Sequence, residues 1–281
     1  MPEFLKIIIL SVIQGLTEFL PVSSSGHLVL AEHFMSFKAP EGAVFEVILH
    51  AGTLAAVIIF YRRKFAALLT GIFSFERASV LYAAWVVLSM IPAGILYALT
   101  GSSLEEKYEE PIFVARALIA AGIFMTATVL LKNKQSEQNE KARMSANPIK
   151  WYQALAMGVA QAIAMLPGVS RSGSTITMAR FFGVRPKDAA EFSFIMSVPV
   201  IGGAALLKIL KHHNEISAAQ SLQYGVGAIV AGIVGIIAIK TFVALLDKGR
   251  LWVFGVYCIV VGAVSFVLIV IPFIGVIGSI E

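Results

Sequence analysis

A polar run after the first apolar segment of the chain combines an acid, several hydroxyls and an imidazole. Gln14 and Glu18 are four residues apart, so they share one face of a helix. That face leads into the run Pro-Val-Ser-Ser-Ser-Gly-His from Pro21 to His27. An ionisable group at membrane depth is costly unless it is paired or hydrated, so Glu18 indicates function. The serines alone are weaker evidence, because Ser and Gly commonly let membrane helices pack closely.

A second polar run begins at Pro167 and reads Pro-Gly-Val-Ser-Arg-Ser-Gly-Ser-Thr. Its candidate residues precede another apolar helical segment: Ser170, Arg171, Ser172, Ser174 and Thr175. A break that enters a helix offers free backbone N–H groups and a positive dipole end, which suits an anion and best of all phosphate. Arg171 can fork onto two phosphate oxygens, and its alternative role is to neutralise Glu18.

Together these groups are suited to cleaving a phosphate ester or anhydride. Ser24 would attack the terminal phosphorus, Glu18 would accept its proton or hold a divalent cation with Gln14, and His27 would act as acid or base. Arg171 and the nearby hydroxyls would stabilise the transferring phosphoryl group. Attack by a metal-bound water, with Ser24 only binding phosphate, is equally compatible with these residues. The residues expected to bind substrate are Gln14, Ser23, Ser25, Ser170, Ser172 and Thr175.

The elements that must position these groups are membrane helices. The chain is 58% hydrophobic and 14% charged with a mean hydropathy of +0.85, whereas soluble domains carry about 25% charged residues. The net charge of +5 lies in short loops, where Lys and Arg set membrane orientation, so no nucleic-acid partner is expected. The single cysteine, Cys258, excludes an intramolecular disulfide. Six segments are long enough to span the bilayer, near 43–61, 79–99, 112–131, 189–207, 222–245 and 251–275.

Two further apolar segments, 7–20 and 151–166, stop at Pro21 and Pro167. At 1.5 Å per residue they reach only about 21 to 24 Å, too short to cross the bilayer. We expect each to be re-entrant and to turn back at its Ser/Gly break. Irregular backbone at membrane depth is stable only where it is buried in protein or lines a water-filled cavity. The breaks therefore predict a polar pocket.

The two halves of the chain resemble one another. Leu-Pro-Val-Ser-Ser-Ser-Gly from Leu20 matches Leu-Pro-Gly-Val-Ser-Arg-Ser-Gly from Leu166, and beyond the breaks Phe45 and Ile48 pair with Phe192 and Ile195. The predicted fold is an all-α polytopic membrane protein, with six spanning helices and two re-entrant hairpins arranged as an inverted repeat. The repeats are 1–131 and 151–281, joined by a cytoplasmic linker at 132–150. The cationic loops place both termini outside.

The runs Gln14–His27 and Leu166–Thr175 strongly resemble the bacterial undecaprenyl-diphosphate phosphatase family, also called bacitracin-resistance proteins. The resemblance implies hydrolysis of undecaprenyl diphosphate, recycling of the carrier lipid for the cell wall, bacitracin resistance and an outward-facing site in the bacterial inner membrane. It also implies a homodimer and a divalent cation, Mg²⁺ or Ca²⁺, whose preference for oxygen ligands suits Glu18. Gln14 stands where many members carry Glu, which weakens any scheme that needs a base or a charged ligand there.

The principal alternative function is a polyprenyl-phosphate transporter or flippase, because inverted repeats with broken helices are the usual transporter construction. The acid, hydroxyl, imidazole and guanidinium favour an enzyme over a transporter, because one fold can host many functions and the site residues determine which. A purely structural scaffold would leave Glu18, His27 and Arg171 without compensation for their burial. Glu46 and His50, one helical turn apart, are lesser candidates for the pocket, with an interhelical hydrogen bond as an equal alternative.

Overall fold

The computed structural model describes residues 2–37, 42–101, 108–131, 149–212, 218–246 and 250–277. Within these residues the protein is all-helical, with eleven α-helices and one short 3₁₀ segment at Ala127–Leu131. The helices are α1 Glu3–Phe19, α2 Ser24–Phe34, α3 Gly42–Phe60, α4 Arg62–Phe73, α5 Arg77–Thr100, α6 Pro111–Thr126, α7 Trp151–Ile163, α8 Arg171–Phe181, α9 Pro186–His212, α10 Ala218–Leu246 and α11 Leu251–Ile277.

Five helices, α5, α6, α9, α10 and α11, are long and apolar enough to cross a membrane. The number of candidate spans among the described residues is six if α3 and α4 are counted together as one bent span. These five or six candidates fit a multi-pass membrane protein, and they coincide with the six segments that the sequence predicts. Large apolar side chains remain exposed along them, as at Val87, Ile229 and Ile271, where lipid would cover them.

Helix α4 is the element that the sequence does not predict. The chain bends by 74° between α3 and α4, where Arg62, Arg63 and Lys64 follow one another. Three successive cations cannot continue into hydrocarbon, so the helix axis turns aside at this point. The polar linker expected at 132–150 lies outside the described residues except for its last two.

The two short apolar segments end before their prolines, as the sequence predicts. Helix α1 has 17 residues and ends at Phe19, and α7 has 13 residues and ends at Ile163. Proline lacks an N–H and disfavours helical geometry in the residue before it, so neither helix runs through the break. Each break leads into a helix of 11 residues, α2 or α8, that contacts the helix before it.

Glycines dock these short helices onto the longer ones. Helix α1 packs against α10 and α7 against α5. A Cβ added at Gly15 would lie 2.6 Å from the carbonyl oxygen of Ala231, and one at Gly158 would lie 2.4 Å from that of Ser89. Small residues at these crossings allow the backbones to approach closely, which fixes the depth of both breaks against the spanning helices.

Candidate active site

The first break presents Ser24 on a strained turn. Ser23 has φ of 71° and ψ of 98°, in the left-handed half of backbone space that a non-glycine residue rarely adopts. Its hydroxyl accepts a hydrogen bond from the Gly26 N–H at 3.2 Å and caps α2. Ser24 is the first residue of that helix, and its Oγ donates to Glu18 Oε2 at 2.7 Å.

The second break repeats this construction around an arginine. Gly168 has a positive φ of 89°, and Ser170 caps α8 by accepting from the Gly173 N–H at 3.0 Å. Arg171 is the first residue of α8, the position that Ser24 holds in α2. The first N–H groups of a helix have no partner within the helix, so each break directs a positive helix end into its turn.

The two breaks meet in the folded chain. The guanidinium of Arg171 donates through Nη2 to Glu18 Oε1. The hydroxyl of Ser172 donates to the Leu20 carbonyl at 3.2 Å. The backbones are in contact beside these bonds, since a Cβ on Gly26 would lie 3.0 Å from Gly168 Cα. The acid of one half and the guanidinium of the other therefore share one buried junction.

Glu18 is surrounded by hydrogen-bond donors. Besides the Ser24 hydroxyl, its Oε2 accepts from Gln14 Nε2 at 3.0 Å and faces His50 Nε2 at 3.5 Å. The side chain is buried, and Arg171 neutralises its charge. The carboxylate is thus held ionised and oriented toward Ser24, which suits it to accept the serine proton.

Arg171 retains an unused donor. Its side chain is only 17% exposed, and its Nη1 is buried without a hydrogen-bond partner among the residues that the structure describes. A buried donor that makes no hydrogen bond costs about 1–3 kcal/mol, and more when it is charged. The free N–H groups lie at the N-terminus of α8, so they favour an anionic ligand between the guanidinium and the helix end.

His50 belongs to this site more directly than the sequence suggests. Its Nδ1 is 2.8 Å from the Glu46 carbonyl, and because a carbonyl can only accept, Nδ1 carries a proton. The other ring nitrogen, Nε2, lies 3.5 Å from Glu18 Oε2. The sequence signal was present, since His50 is an ionisable residue inside an apolar span, the same criterion that selects Glu18.

His27 is oriented differently from the expected acid or base. Its Nδ1 is 2.8 Å from the Ser23 carbonyl, and its Nε2 is 2.9 Å from the Tyr257 hydroxyl on α11. Both ring nitrogens are thus engaged by the protein rather than by Glu18 or Arg171.

The remaining predicted hydroxyls bond mainly within the protein. Ser23 and Ser25 lie 3.5 Å apart between their Oγ atoms, and Ser170 and Ser172 lie 3.3 Å apart. Thr175 is fully buried, where its hydroxyl donates to the Arg171 carbonyl at 2.8 Å and meets Ser193 Oγ at 2.7 Å. Thr175 therefore braces the first turn of α8 against α9.

The donor set for a metal ion is small. Among the described residues, no group of three or more His, Cys, Asp or Glu side chains is placed to hold a metal. Within the described parts of the chain, the oxygen donors near Glu18 include its own carboxylate, the Ser24 hydroxyl and Gln14 Oε1, which is buried without a hydrogen-bond partner there. Mg²⁺ commonly binds one or two carboxylates together with substrate phosphates, so this set fits a divalent cation when phosphate oxygens complete the shell.

The fold and the junction define a multi-span helical membrane protein that gathers an acid, a hydroxyl and a guanidinium at one buried point. The family model described as bacitracin resistance protein BacA matches residues 7–264. The chain belongs to this family.

Curated relatives match along almost the full length. An undecaprenyl-diphosphatase from Acinetobacter baumannii strain ATCC 17978 is 36% identical over 265 residues, covering 94% of this chain and 95% of the relative. One from Syntrophotalea carbinolica is 36% identical over 269 residues, covering 94% and 98%. One from Herminiimonas arsenicoxydans is 38% identical over 227 residues, covering 81% of each.

Proposed function

We propose that this protein is a membrane phosphatase that hydrolyses undecaprenyl diphosphate to undecaprenyl phosphate and inorganic phosphate. The observation that carries the proposal is the buried Nη1 of Arg171, which has no hydrogen-bond partner in the described ranges and lies beside the paired Glu18 and Ser24. It supplies an anion-binding donor next to an oriented hydroxyl. The names of the curated relatives supply the lipid.

Phosphate binding would use both helix ends. The terminal phosphate would accept from Arg171 Nη1 and from the first N–H groups of α2 and α8. Hydroxyls and an amide from the two breaks would complete the binding surface: Gln14, Ser23, Ser25, Ser170, Ser172 and Thr175. Of these, Ser170 and Thr175 act mainly by holding the turn of α8 in place.

Phosphoryl transfer would begin at Ser24. Its Oγ attacks the terminal phosphorus, its proton passes to Glu18 across the 2.7 Å hydrogen bond, and the bond to the bridging oxygen breaks. Undecaprenyl phosphate leaves, and His27, when protonated, would supply a proton to the leaving oxygen from the ring edge that Tyr257 contacts. Water then hydrolyses the phosphoserine. In the second scheme water attacks the phosphorus directly, and Ser24 only binds the phosphate.

A divalent cation, Mg²⁺ or Ca²⁺, is part of the proposal. Glu18 and Gln14 would hold it through their oxygens, and when bound it would neutralise charge on the diphosphate. With glutamine at position 14, the site carries one negative charge fewer than it would with glutamate there.

The proposed architecture is an inverted repeat with two re-entrant hairpins, spanning 1–131 and 151–281 with a linker at 132–150. Reciprocal packing supports it: the first helix of each half, α1 or α7, packs against a spanning helix of the other half, α10 or α5. The matched serine caps at Ser23 and Ser170 support it as well. The transporter alternative shares this frame but gives no role to the oriented Ser24 hydroxyl.

The proposed setting is the inner membrane of a bacterium, with both termini and the active site on the outer side. The protein would recycle the carrier lipid for cell-wall synthesis and so confer bacitracin resistance, and it would work as a homodimer. The family name and the distribution of cationic loops support this setting.

Phosphate release from undecaprenyl diphosphate by the purified protein in detergent tests the proposal. The assay is run with Mg²⁺, with Ca²⁺ and with a chelator. An Arg171→Ala preparation, purified in the same way, measures phosphate release by any contaminating phosphatase. We expect release that needs a cation and is absent in the variant. Failure of the wild-type protein to release phosphate with either cation would overturn the enzymatic function.

A further inference from the structure

We propose that Tyr257 on α11 is a positioning residue for the first break, acting through His27 on the turn that presents Ser24. This inference rests on the proposed function for its kinetic consequence. The contact itself is independent of that function, and the two can be tested separately.

The contact joins residues 230 positions apart. The Tyr257 hydroxyl lies 2.9 Å from His27 Nε2. The two rings are parallel within 5°, with centroids 5.7 Å apart. The parallel contact sets the plane of the imidazole, and the hydrogen bond sets which ring nitrogen faces Tyr257.

The hydrogen-bond pattern defines which nitrogen of His27 carries the proton. Nδ1 lies 2.8 Å from the Ser23 carbonyl, which can only accept, so Nδ1 is the protonated nitrogen. In the neutral ring Nε2 is then an acceptor, and it receives the Tyr257 hydroxyl proton. By donating to Nε2, Tyr257 reinforces the tautomer that the Ser23 carbonyl sets.

The donated bond ends on a strained residue. Ser23 holds its left-handed backbone with φ of 71°, and such geometry persists only where neighbours stabilise it. The His27 N–H on the Ser23 carbonyl is one such neighbour. Since Ser24 follows directly, the order of the turn sets where its hydroxyl meets Glu18.

A second contact from α11 supports the same turn. The thiol of Cys258, next to Tyr257, is fully buried and donates to the Pro21 carbonyl at 3.7 Å. Two successive residues of α11 thus contact the first break, one at the Pro21 carbonyl and one at His27 Nε2. Helix α11 therefore contributes to the site although the sequence assigns it only a spanning role.

Tyr257→Phe tests the inference, because it keeps the ring and removes only the hydroxyl. Tyr97→Phe on α5 is the matched control, since Tyr97 and Tyr257 are each 44% exposed. Histidine nitrogen NMR on the detergent-solubilised protein reports the His27 tautomer. We expect Tyr257→Phe to shift the His27 Nε2 resonance and raise the population of the Nε2–H tautomer, and Tyr97→Phe to leave both unchanged.

The kinetic test is a double-mutant cycle. We expect Tyr257→Phe to lower kcat for phosphate release about 3- to 10-fold with KM within about twofold, the usual range for one lost hydrogen bond. In a His27→Ala background the same change should have less than about a twofold effect. An unchanged His27 spectrum in Tyr257→Phe, or equal effects in both backgrounds, overturns the inference. If the wild-type protein releases no phosphate, the proposed function fails, while the histidine spectra still decide the pairing.

Discussion

Glu18 and Arg171 are 153 positions apart in the chain and form an ion pair where the two breaks meet. The pair leaves Arg171 Nη1 without a hydrogen-bond partner in the part of the chain that the structure describes. Removing one partner of a buried pair commonly costs about 3–5 kcal/mol, because the other charge is left uncompensated. Each charge therefore needs the other at the junction before substrate binds, and one guanidinium nitrogen stays available for phosphate.

Glu18→Gln is expected to lower phosphate release by at least about 100-fold. The amide cannot accept the Ser24 proton and leaves the Arg171 charge without its counter-ion. Phosphate release and thermal unfolding in detergent measure the two effects. Glu110→Gln, at an exposed position before α6, is the control and should retain activity. Turnover near the wild-type rate in Glu18→Gln would remove this carboxylate from the reaction.

Arg171→Lys separates charge neutralisation from phosphate binding. Lysine can still pair with Glu18, but it lacks the second nitrogen that the guanidinium directs into the site. We expect a melting temperature close to that of the wild type and a fall of about 10- to 100-fold in kcat/KM. Arg116→Lys, at an exposed position on α6, should change neither quantity. Wild-type kcat/KM in Arg171→Lys would reduce Arg171 to a counter-ion for Glu18.

Ser24→Ala distinguishes the two hydrolysis schemes. If Ser24 is the nucleophile, turnover should fall to background, and a rapidly quenched wild-type reaction with labelled substrate should yield labelled phosphoserine. Ser74→Ala, at an exposed position directly after α4, is the control and should retain activity. A residual rate within about 100-fold of wild type, with no labelled serine, would favour direct attack by water.

The sequence predicted the elements of the site well, because the signals that carry them are local. Proline ends a helix wherever it occurs, so the positions of both breaks followed from Pro21 and Pro167. Hydropathy placed the spans to within a few residues. The prediction that the two breaks meet depended on the sequence match between Ser23–Gly26 and Ser170–Gly173. In the structure both serines cap the helix that follows.

What the sequence did not predict depends on contacts between distant segments. Tyr257 lies in a segment that hydropathy marks only as a span, and the packing of α11 against α6, which also contacts α2, brings it to His27. From the sequence, His50 is a lesser candidate for the pocket with an interhelical hydrogen bond as the alternative, and α3 places it at Glu18. Pattern reasoning identifies polar residues in apolar spans, whereas their partners are set by which helices cross.

His50→Ala is expected to lower kcat about tenfold, and His50→Gln by less. Alanine removes the polar side chain that faces Glu18 Oε2 at 3.5 Å, whereas glutamine places an amide N–H within reach of the carboxylate. His33→Ala, in the last turn of α2, is the control. Equal rates in wild type and His50→Ala would show that the contact with Glu18 has no part in turnover.

Gly52 tests whether close helix packing positions the site. A Cβ there would lie 2.1 Å from the Ala228 carbonyl oxygen, so Gly52→Ala must separate α3 from α10. Both helices support the site, since α3 carries His50 and α10 packs against α1, which carries Glu18. We expect a loss of stability of about 1–3 kcal/mol from overpacking, together with reduced turnover.

Gly94→Ala is the matched control for that substitution. A Cβ at Gly94 meets nothing within 4 Å, and alanine in a helix interior is favoured over glycine by about 0.5–1 kcal/mol. Thermal unfolding in detergent should therefore show Gly94→Ala at or above the wild-type midpoint and Gly52→Ala well below it. Equal midpoints for the two variants would contradict the close crossing of α3 and α10, and with it the argument that glycine packing sets the position of His50 relative to Glu18.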